Sequence, residues 1–467
     1  MAPIRYRFYK QFFLLTSVLL ISMATVYKTG PAAIYRSTHH YLEHLLGQDG
    51  VSGERRTAWT RAGSATSGPE LGSATSGPEF LQRRRSVRDA CARRNNWEGL
   101  GRVGSVLTDD RSGLVYCLVP KAGCTYWKRL FESLHRQGGK NRSRDDFDIP
   151  REVIHQLPTS QGTQYDERVH GPDHYPTRVL VYRDPFDRLL ASYLDKFYLP
   201  DFWEDYGQTF MEMVQGIDQQ KVEKTGEGKN RTCKWSQPDP VGAGDFMRRH
   251  FVEMKSKFGE QQTSDSACGK YLTFTEFLVS SMYDPEPHWR PLHQLCDPCK
   301  FLPTHIINMD TFTQDTRHLL QTRGISDFLA ASVAEQVSEE MHMLVEYHFS
   351  RVSHSVFLST CLTPRELAYR LWHSFLWKGY IPPSSGYRLP DLISLSDVKR
   401  DLLEQLRRAR AQGQDEADLR SWRDGYKSRF FSDVRAPIWL ELFRKFQIDL
   451  DIFGWSQFEK DVLNCIV

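Results

Sequence analysis

Gly104 to Leu134 reads GSVLTDDRSGLVYCLVPKAGCTYWKRLFESL, and its rhythm changes twice. Val115 to Val119 is largely apolar with β-branched ends, follows a turn signal at Asp109 to Gly113 and stops at Pro120, which is the pattern of a strand. From Thr125 onward Trp127, Leu130, Phe131 and Leu134 recur at helical spacing. The segment therefore predicts strand, tight loop and helix, with Lys121, Ala122, Gly123, Cys124 and Thr125 at the junction. A loop that opens a helix presents unpaired N–H groups at the positive end of the macrodipole, a setting that suits an anion. Gly123 lets backbone approach such an anion closely, Lys121 adds a point charge, and Thr125 adds a hydroxyl donor. The GxxxxGK[ST] signature of nucleoside triphosphatases is absent, and an ordinary β–loop–α unit with a surface lysine is the competing reading.

Thr177 to Tyr198, TRVLVYRDPFDRLLASYLDKFY, repeats the pattern. Arg178 to Tyr182 predicts a strand with Arg183 at its carboxyl end, and Asp184-Pro185 starts a helix whose buried stripe is Phe186, Leu189, Leu190 and Tyr193. Arg183 and Ser192 can converge on one phosphate, and Arg188 shares the helical face of Ser192. In open α/β sheets ligands sit beyond the carboxyl ends of strands, where both segments place their polar residues.

The chain has 467 residues with 61 Lys+Arg against 58 Asp+Glu, which excludes wholesale disorder, a multi-span membrane protein and a small disulfide scaffold. Met1 to Arg102 carries 15 basic and 7 acidic residues, and the remainder 46 and 51. A broad nucleic-acid-binding surface is thereby disfavoured, and any anion site must be local. Gln11 to Tyr27 is a run of 17 uncharged residues, roughly 25 Å as a helix, preceded by Arg5, Arg7 and Lys10. It predicts a type II signal anchor at 11–27 with a cytosolic tail at 1–10, a cleaved signal peptide being the alternative. Its shortness suits an early-secretory or Golgi membrane. Residues 28–88, with the repeated octamer GSATSGPE, read as a flexible lumenal stem ending at Arg83-Arg84-Arg85. Nine cysteines and the sequons at Asn141 and Asn230 fit a lumenal, glycosylated chain with one thiol left over. Cys296-x-x-Cys299 is a weak metal signal, with disulfide pairing the stronger reading and its connectivity open.

These segments resemble a family. PKAGCTYWKR (Pro120 to Arg129, including Trp127) looks like the 5′-phosphosulfate loop of the Golgi carbohydrate sulfotransferases, and RDPFDRLLASYLDK (Arg183 to Lys196) like their 3′-phosphate motif. The branch with chondroitin and dermatan 4-O-sulfotransferases and the glucuronyl 3-O-sulfotransferase is the most similar. Further matches are Asp148-Ile149-Pro150 with His155, His288-Trp289 before Cys296, Asn308 to Asp315, and Leu442 to Phe453. The loop departs from the family at Tyr126, where Asn is usual, and 352–425 has no counterpart and stands as an insertion.

The resemblance implies an α/β sulfotransferase fold over 89–467, a P-loop-like parallel sheet flanked by helices. It implies transfer from 3′-phosphoadenosine 5′-phosphosulfate (PAPS), without a metal, to a glycan or proteoglycan acceptor, a chondroitin/dermatan GalNAc 4-O site being the expected one. Lys121 would neutralise the bridging oxygen as it leaves, the backbone of Gly123 to Thr125 would hold the 5′-phosphate, and Arg183 and Ser192 the 3′-phosphate. His155 is the first choice of general base, and His288 the second. A silent glycan-binding protein and a sulfotransferase for a hexosamine, glucuronyl or heparan acceptor are the rivals, and a homodimer is left open.

Overall fold

A computed structural model of the chain describes residues 76–93, 102–136, 149–216, 246–259, 268–325, 333–391, 394–411, 415–454 and 456–466. The expected tail, anchor, most of the stem, Asn141 and Asn230 lie outside the described residues. Among the described residues no helix is long and apolar enough to cross a membrane. The chain divides into two units. One, Pro69–Val462 with Ile466, holds the architecture below; of the other, Met1–Gly68 with Leu463–Cys465 and Val467, the described residues are Leu463–Cys465, within the helix Gln457–Ile466.

Five strands form one sheet in the order β3-β1-β2-β4-β5: β1 Ser105–Asp109, β2 Leu114–Cys117, β3 Thr163–Gln164, β4 Thr177–Tyr182 and β5 His305–Asn308. β2, β4 and β5 run parallel, with Val115 opposite Arg178 and Leu180 opposite Ile306. β1 runs antiparallel to both its neighbours, β2 (Leu107 opposite Tyr116) and β3 (Val106 opposite Thr163). The sheet is thus mixed, not the parallel sheet expected from the sequence. The turn between β1 and β2 is the cause: Asp109 accepts the Ser112 N–H at 2.9 Å and Gly113 takes φ 62°. So short a link can return the chain only antiparallel, because a parallel neighbour needs a long crossover.

Every residue of β2 and β4 is buried, as expected for central strands covered on both faces. Helix α1 spans Ser76–Arg93, α2 Cys124–Arg136, α3 Arg151–Gln156 and α4 Pro185–Tyr193. α2 buries Trp127, Leu130, Phe131 and Leu134, with Trp127 stacked on Tyr116 at 4.9 Å. α4 starts where its sequence says: Asp184 accepts the N–H groups of Phe186 at 2.9 Å and Asp187 at 3.0 Å, and Pro185 fills the first turn. α5 (Phe312–Thr322) and α6 (Val333–His354) follow β5. The segment read as an insertion folds as α7 (Pro364–Trp377), α8 (Leu395–Arg410) and most of α9 (Glu416–Phe431), before α10 (Ala436–Phe453). The charge-rich α8 buries a stripe of Val398, Leu402, Leu406 and Ala409 against α6 and α7.

α1 crosses the stem boundary expected at 88. Phe80, Val87 and Ala90 are buried, and Arg83, read as the end of a solvated stem, is buried too. Its guanidinium pairs with Asp315 and also donates to the Ile306 carbonyl at 3.2 Å and Thr311 Oγ1 at 3.1 Å. Among the described residues three disulfides, Cys91–Cys299, Cys117–Cys296 and Cys268–Cys361, link distant parts of the fold. The two cysteines of the CxxC therefore bind different partners rather than each other or a metal, and Cys124 keeps its thiol.

Candidate functional site

The loops after β2 and β4 open into one cleft of about 1000 Å³. The loop after β2 is tightly wound: Lys121 has φ 64° and Gly123 φ 72°, both in the left-handed region. A Cβ on Gly123 would sit 2.7 Å from the ring of Phe312, so glycine is required there for space as well as for φ. Lys121, which has no such licence, holds a costly backbone conformation of the kind found at functional sites. The turn is braced from the other loop, where Arg183 Nη1 donates to the Lys121 carbonyl at 2.9 Å. The two sequence motifs thus meet directly. Tyr126, the departure from the family pattern, lays its ring edge-on to Phe312 at 5.3 Å in the cleft wall.

One carboxylate organises the floor. Asp195 lies in a π-helical turn, Leu194–Tyr198, that continues α4; such turns recur at functional sites. Its Oδ2 pairs with Lys121 and with Arg151 Nη2 at 3.2 Å, and its Oδ1 with Lys378 Nζ at 3.2 Å. Burial alone would raise the Asp195 pKa, but Lys121, Lys378 and Arg151 pull it well below the carboxylate range. Burial brings the Lys121 ammonium down to about 8, with Asp195 opposing the shift and Arg151 and Lys378 adding to it. Next to this group, Asp201 takes Lys196 on Oδ2, and on Oδ1 takes Arg351 at 2.8 Å and the Tyr347 hydroxyl.

Two histidines reach the cleft, and their hydrogen bonds differ. His155, on α3, has Nε2 3.1 Å from Thr125 Oγ1 and Nδ1 3.3 Å from Lys128 Nζ, so both ring nitrogens are engaged. Burial, with the Lys128 and Arg151 charges, lowers its pKa to about 3. His288 sets Nδ1 2.7 Å from Glu286 Oε1, and its backbone N–H donates to the same carboxylate at 2.5 Å. Its Nε2 makes no hydrogen bond among the described residues. Burial and the Lys196 charge hold its pKa at about 4 despite Glu286, leaving a neutral imidazole with one open lone pair.

Of the residues singled out from sequence, Lys121, Gly123, Cys124, Thr125, Arg183, His155 and His288 line the cleft, whereas Ala122, Trp127, Arg188 and Ser192 are buried behind its wall. Ser192 Oγ donates to the Arg188 and His288 carbonyls, each at 2.8 Å. The Arg188 guanidinium donates to the Pro287 and Arg290 carbonyls. The second motif thus also clamps the loop that carries His288. Asp195 stands inside the second motif and Arg151 beside Asp148-Ile149-Pro150, yet neither carried a signal of its role; Lys378 lies in the stretch read from the sequence as an insertion.

Chemically, a cleft floored by Lys121, Arg151 and Lys378 with Arg183 at its side suits a ligand of several negative charges, and an imidazole with a free lone pair suits proton abstraction beside it. Comparison with known proteins agrees. The chain is 26% identical to carbohydrate sulfotransferase 12 of Mus musculus over 308 residues, covering 61% of this chain and 62% of that protein. It is 28% identical to carbohydrate sulfotransferase 11 of Mus musculus over 270 residues, 53% and 62% of the two chains. To carbohydrate sulfotransferase 8 of Homo sapiens it is 26% identical over 157 residues, 32% and 36%. The chain thus spans about three-fifths of the length of the first relatives it matches. No solved structure matches it. Residues 105–373, from β1 to within α7 and more than half of the chain, match the model of the sulfotransferase family, and to that family the chain belongs.

Proposed function

We propose that the chain transfers a sulfuryl group from PAPS to a sugar hydroxyl of a glycan, with a chondroitin/dermatan GalNAc 4-O site as the preferred acceptor. The observation that carries this reading is the convergence of the two strand–loop–helix motifs, joined by the Arg183–Lys121 carbonyl hydrogen bond, on one cleft whose floor carries Lys121, Arg151 and Lys378. The donor set fits PAPS, since the first turn of α2 (Cys124 to Tyr126) and the side chains of Lys121, Arg151 and Lys378 line one space. The names of the relatives support the class of acceptor. The three disulfides among the described residues support an oxidising compartment, and we place the catalytic part in the Golgi lumen, behind an anchor at 11–27.

In this mechanism the bond from acceptor oxygen to sulfur forms as the bond from sulfur to the 5′-phosphate oxygen breaks, and that oxygen keeps the electron pair. Lys121 neutralises the charge developing there. His288 Nε2 takes the acceptor proton, while Glu286, on Nδ1, fixes the tautomer and stabilises the imidazolium. Arg183 holds the loop and faces the nucleotide end, and Arg188 with Ser192 keeps His288 in register. This ordering prefers His288 to His155, because the open lone pair belongs to His288. The test is incubation of residues 76–467 with labelled PAPS and desulfated chondroitin, dermatan, heparan and N-glycan acceptors, followed by disaccharide mapping. Label on GalNAc O4 is expected; absence of transfer to every acceptor would overturn the reading.

A further inference from the structure

Lys378 stands five residues beyond the family match and inside the segment that offered no motif. It is nonetheless delivered to the cleft by a built device. α7 ends at Trp377 with Lys378 as its cap residue; the Gly379 N–H bonds to the Leu376 carbonyl at 3.1 Å and the Tyr380 N–H to the Phe375 carbonyl at 2.9 Å. That pair of bonds is a Schellman motif, which requires a left-handed residue after the cap, and Gly379 supplies it at φ 71°. Gly379 is doubly constrained, since a Cβ there would lie 2.3 Å from the Leu419 carbonyl oxygen of α9. The helix therefore ends at one fixed place, and its last side chain reaches Asp195.

Lys378 and Lys121 occupy the two oxygens of the same carboxylate, and Arg151 shares one of them. The side chains of Lys121, Lys378 and Arg151 are 15%, 13% and 18% exposed, all toward the cleft, while that of Asp195 is 4% exposed. Asp201 also lies 3.8 Å from Arg151, but it already takes Lys196 and Arg351, so the two buried carboxylates do not balance the cations gathered around them. The remaining positive charge faces the place where the proposed function sets the phosphosulfate, and a cation serving only the helix end would not need a buried counter-ion 183 residues away.

We infer that Lys378 is a second ammonium for the sulfuryl group, contacting its non-bridging oxygens while Lys121 serves the bridging oxygen. Asp195 is the positioning residue that holds both. The inference rests on the PAPS reading and deepens it. The closing experiment measures, on the folded chain without acceptor, the calorimetric affinity for PAPS and for adenosine 3′,5′-bisphosphate, which lacks the sulfuryl group. Lys378→Met keeps the aliphatic stem; it is expected to weaken PAPS about tenfold, the effect of one charge-assisted hydrogen bond, and the bisphosphate less than twofold. Lys378→Arg, which keeps the charge and guards against a folding defect in the first variant, is expected to recover most of the PAPS affinity. Equal effects of Lys378→Met on both nucleotides, or no effect on PAPS, would overturn the assignment. Failure of the unaltered chain to bind either nucleotide would overturn the PAPS reading itself, and the assignment with it.

Discussion

At the scale of single residues, what decides function is what each polar atom has left to offer. His155 and His288 are both neutral at physiological pH, yet only His288 keeps an open lone pair toward the cleft. His288→Ala is expected to lower turnover at saturating PAPS by about 10²–10⁴-fold, and His155→Ala by less than tenfold. The reverse order would return the base role to His155. Lys121→Ala is expected to abolish transfer with an unchanged circular dichroism spectrum. Because the folded pKa of Lys121 is lowered to about 8, its ammonium is lost as pH rises through that value, so kcat/KM for PAPS should fall above about pH 8. Asp195→Asn removes the charge that helps keep the proton on, and the fall should move to lower pH. A profile unmoved by that substitution would separate Lys121 from the limb. That Lys121 and Arg183 would come together at one cleft was legible because each stands where a strand ends and a helix begins. Asp195 was not, because its partners lie 74 and 183 residues away and a carboxylate beside phosphate loops reads as unfavourable until its three cations are seen.

Among elements, strand–loop–helix units were readable because local chemistry fixes them: Asp184 and Pro185 start α4, and the Trp127 to Leu134 stripe buries α2. The antiparallel edge of the sheet and α1 were not. Strand direction depends on which neighbour a strand meets, and α1 offers only Phe80, Val87 and Ala90 as buried apolar anchors among many charges. Its decisive contact is an ion pair that the sequence hides in an arginine triplet. Arg83→Ala would leave Asp315 buried beside only Thr311 and the Asn308 N–H, and is expected to destabilise the fold by about 3 kcal/mol in urea unfolding. Arg85→Ala, at an exposed position two residues on, should change it by less than about 0.5 kcal/mol. Equal effects would show that the triplet acts as a solvated charge cluster after all.

For the whole molecule, burial of titratable groups sets acid stability. His288 and His373 are held at about 4, and His348 at about 3, chiefly by burial. Each takes up a proton on unfolding below its ordinary value of about 6.5, so stability falls as pH drops through 6.5, by on the order of 2 kcal/mol per histidine at pH 5. Depressed carboxylates such as Asp195 add to the loss only at still lower pH. The urea midpoint should therefore drop steeply between pH 7 and 5; a flat midpoint over that range would show that these histidines are not held neutral. For the described residues the α/β class and the meeting of the two loops were legible in the sequence, whereas the reach of α7 into the cleft was not, since no local pattern encodes a contact made by a helix end. The two cysteines of the CxxC fasten α1 and the central strand across 208 and 179 residues. At about 5–20 residues synthesised per second, Cys91 and Cys117 wait some 10–40 s for their partners to emerge. Throughout that interval Cys124, seven residues on, is the sulfur nearest to Cys117 in sequence, so a bridge formed between them in an oxidising setting would have to be exchanged before the native pairing could close.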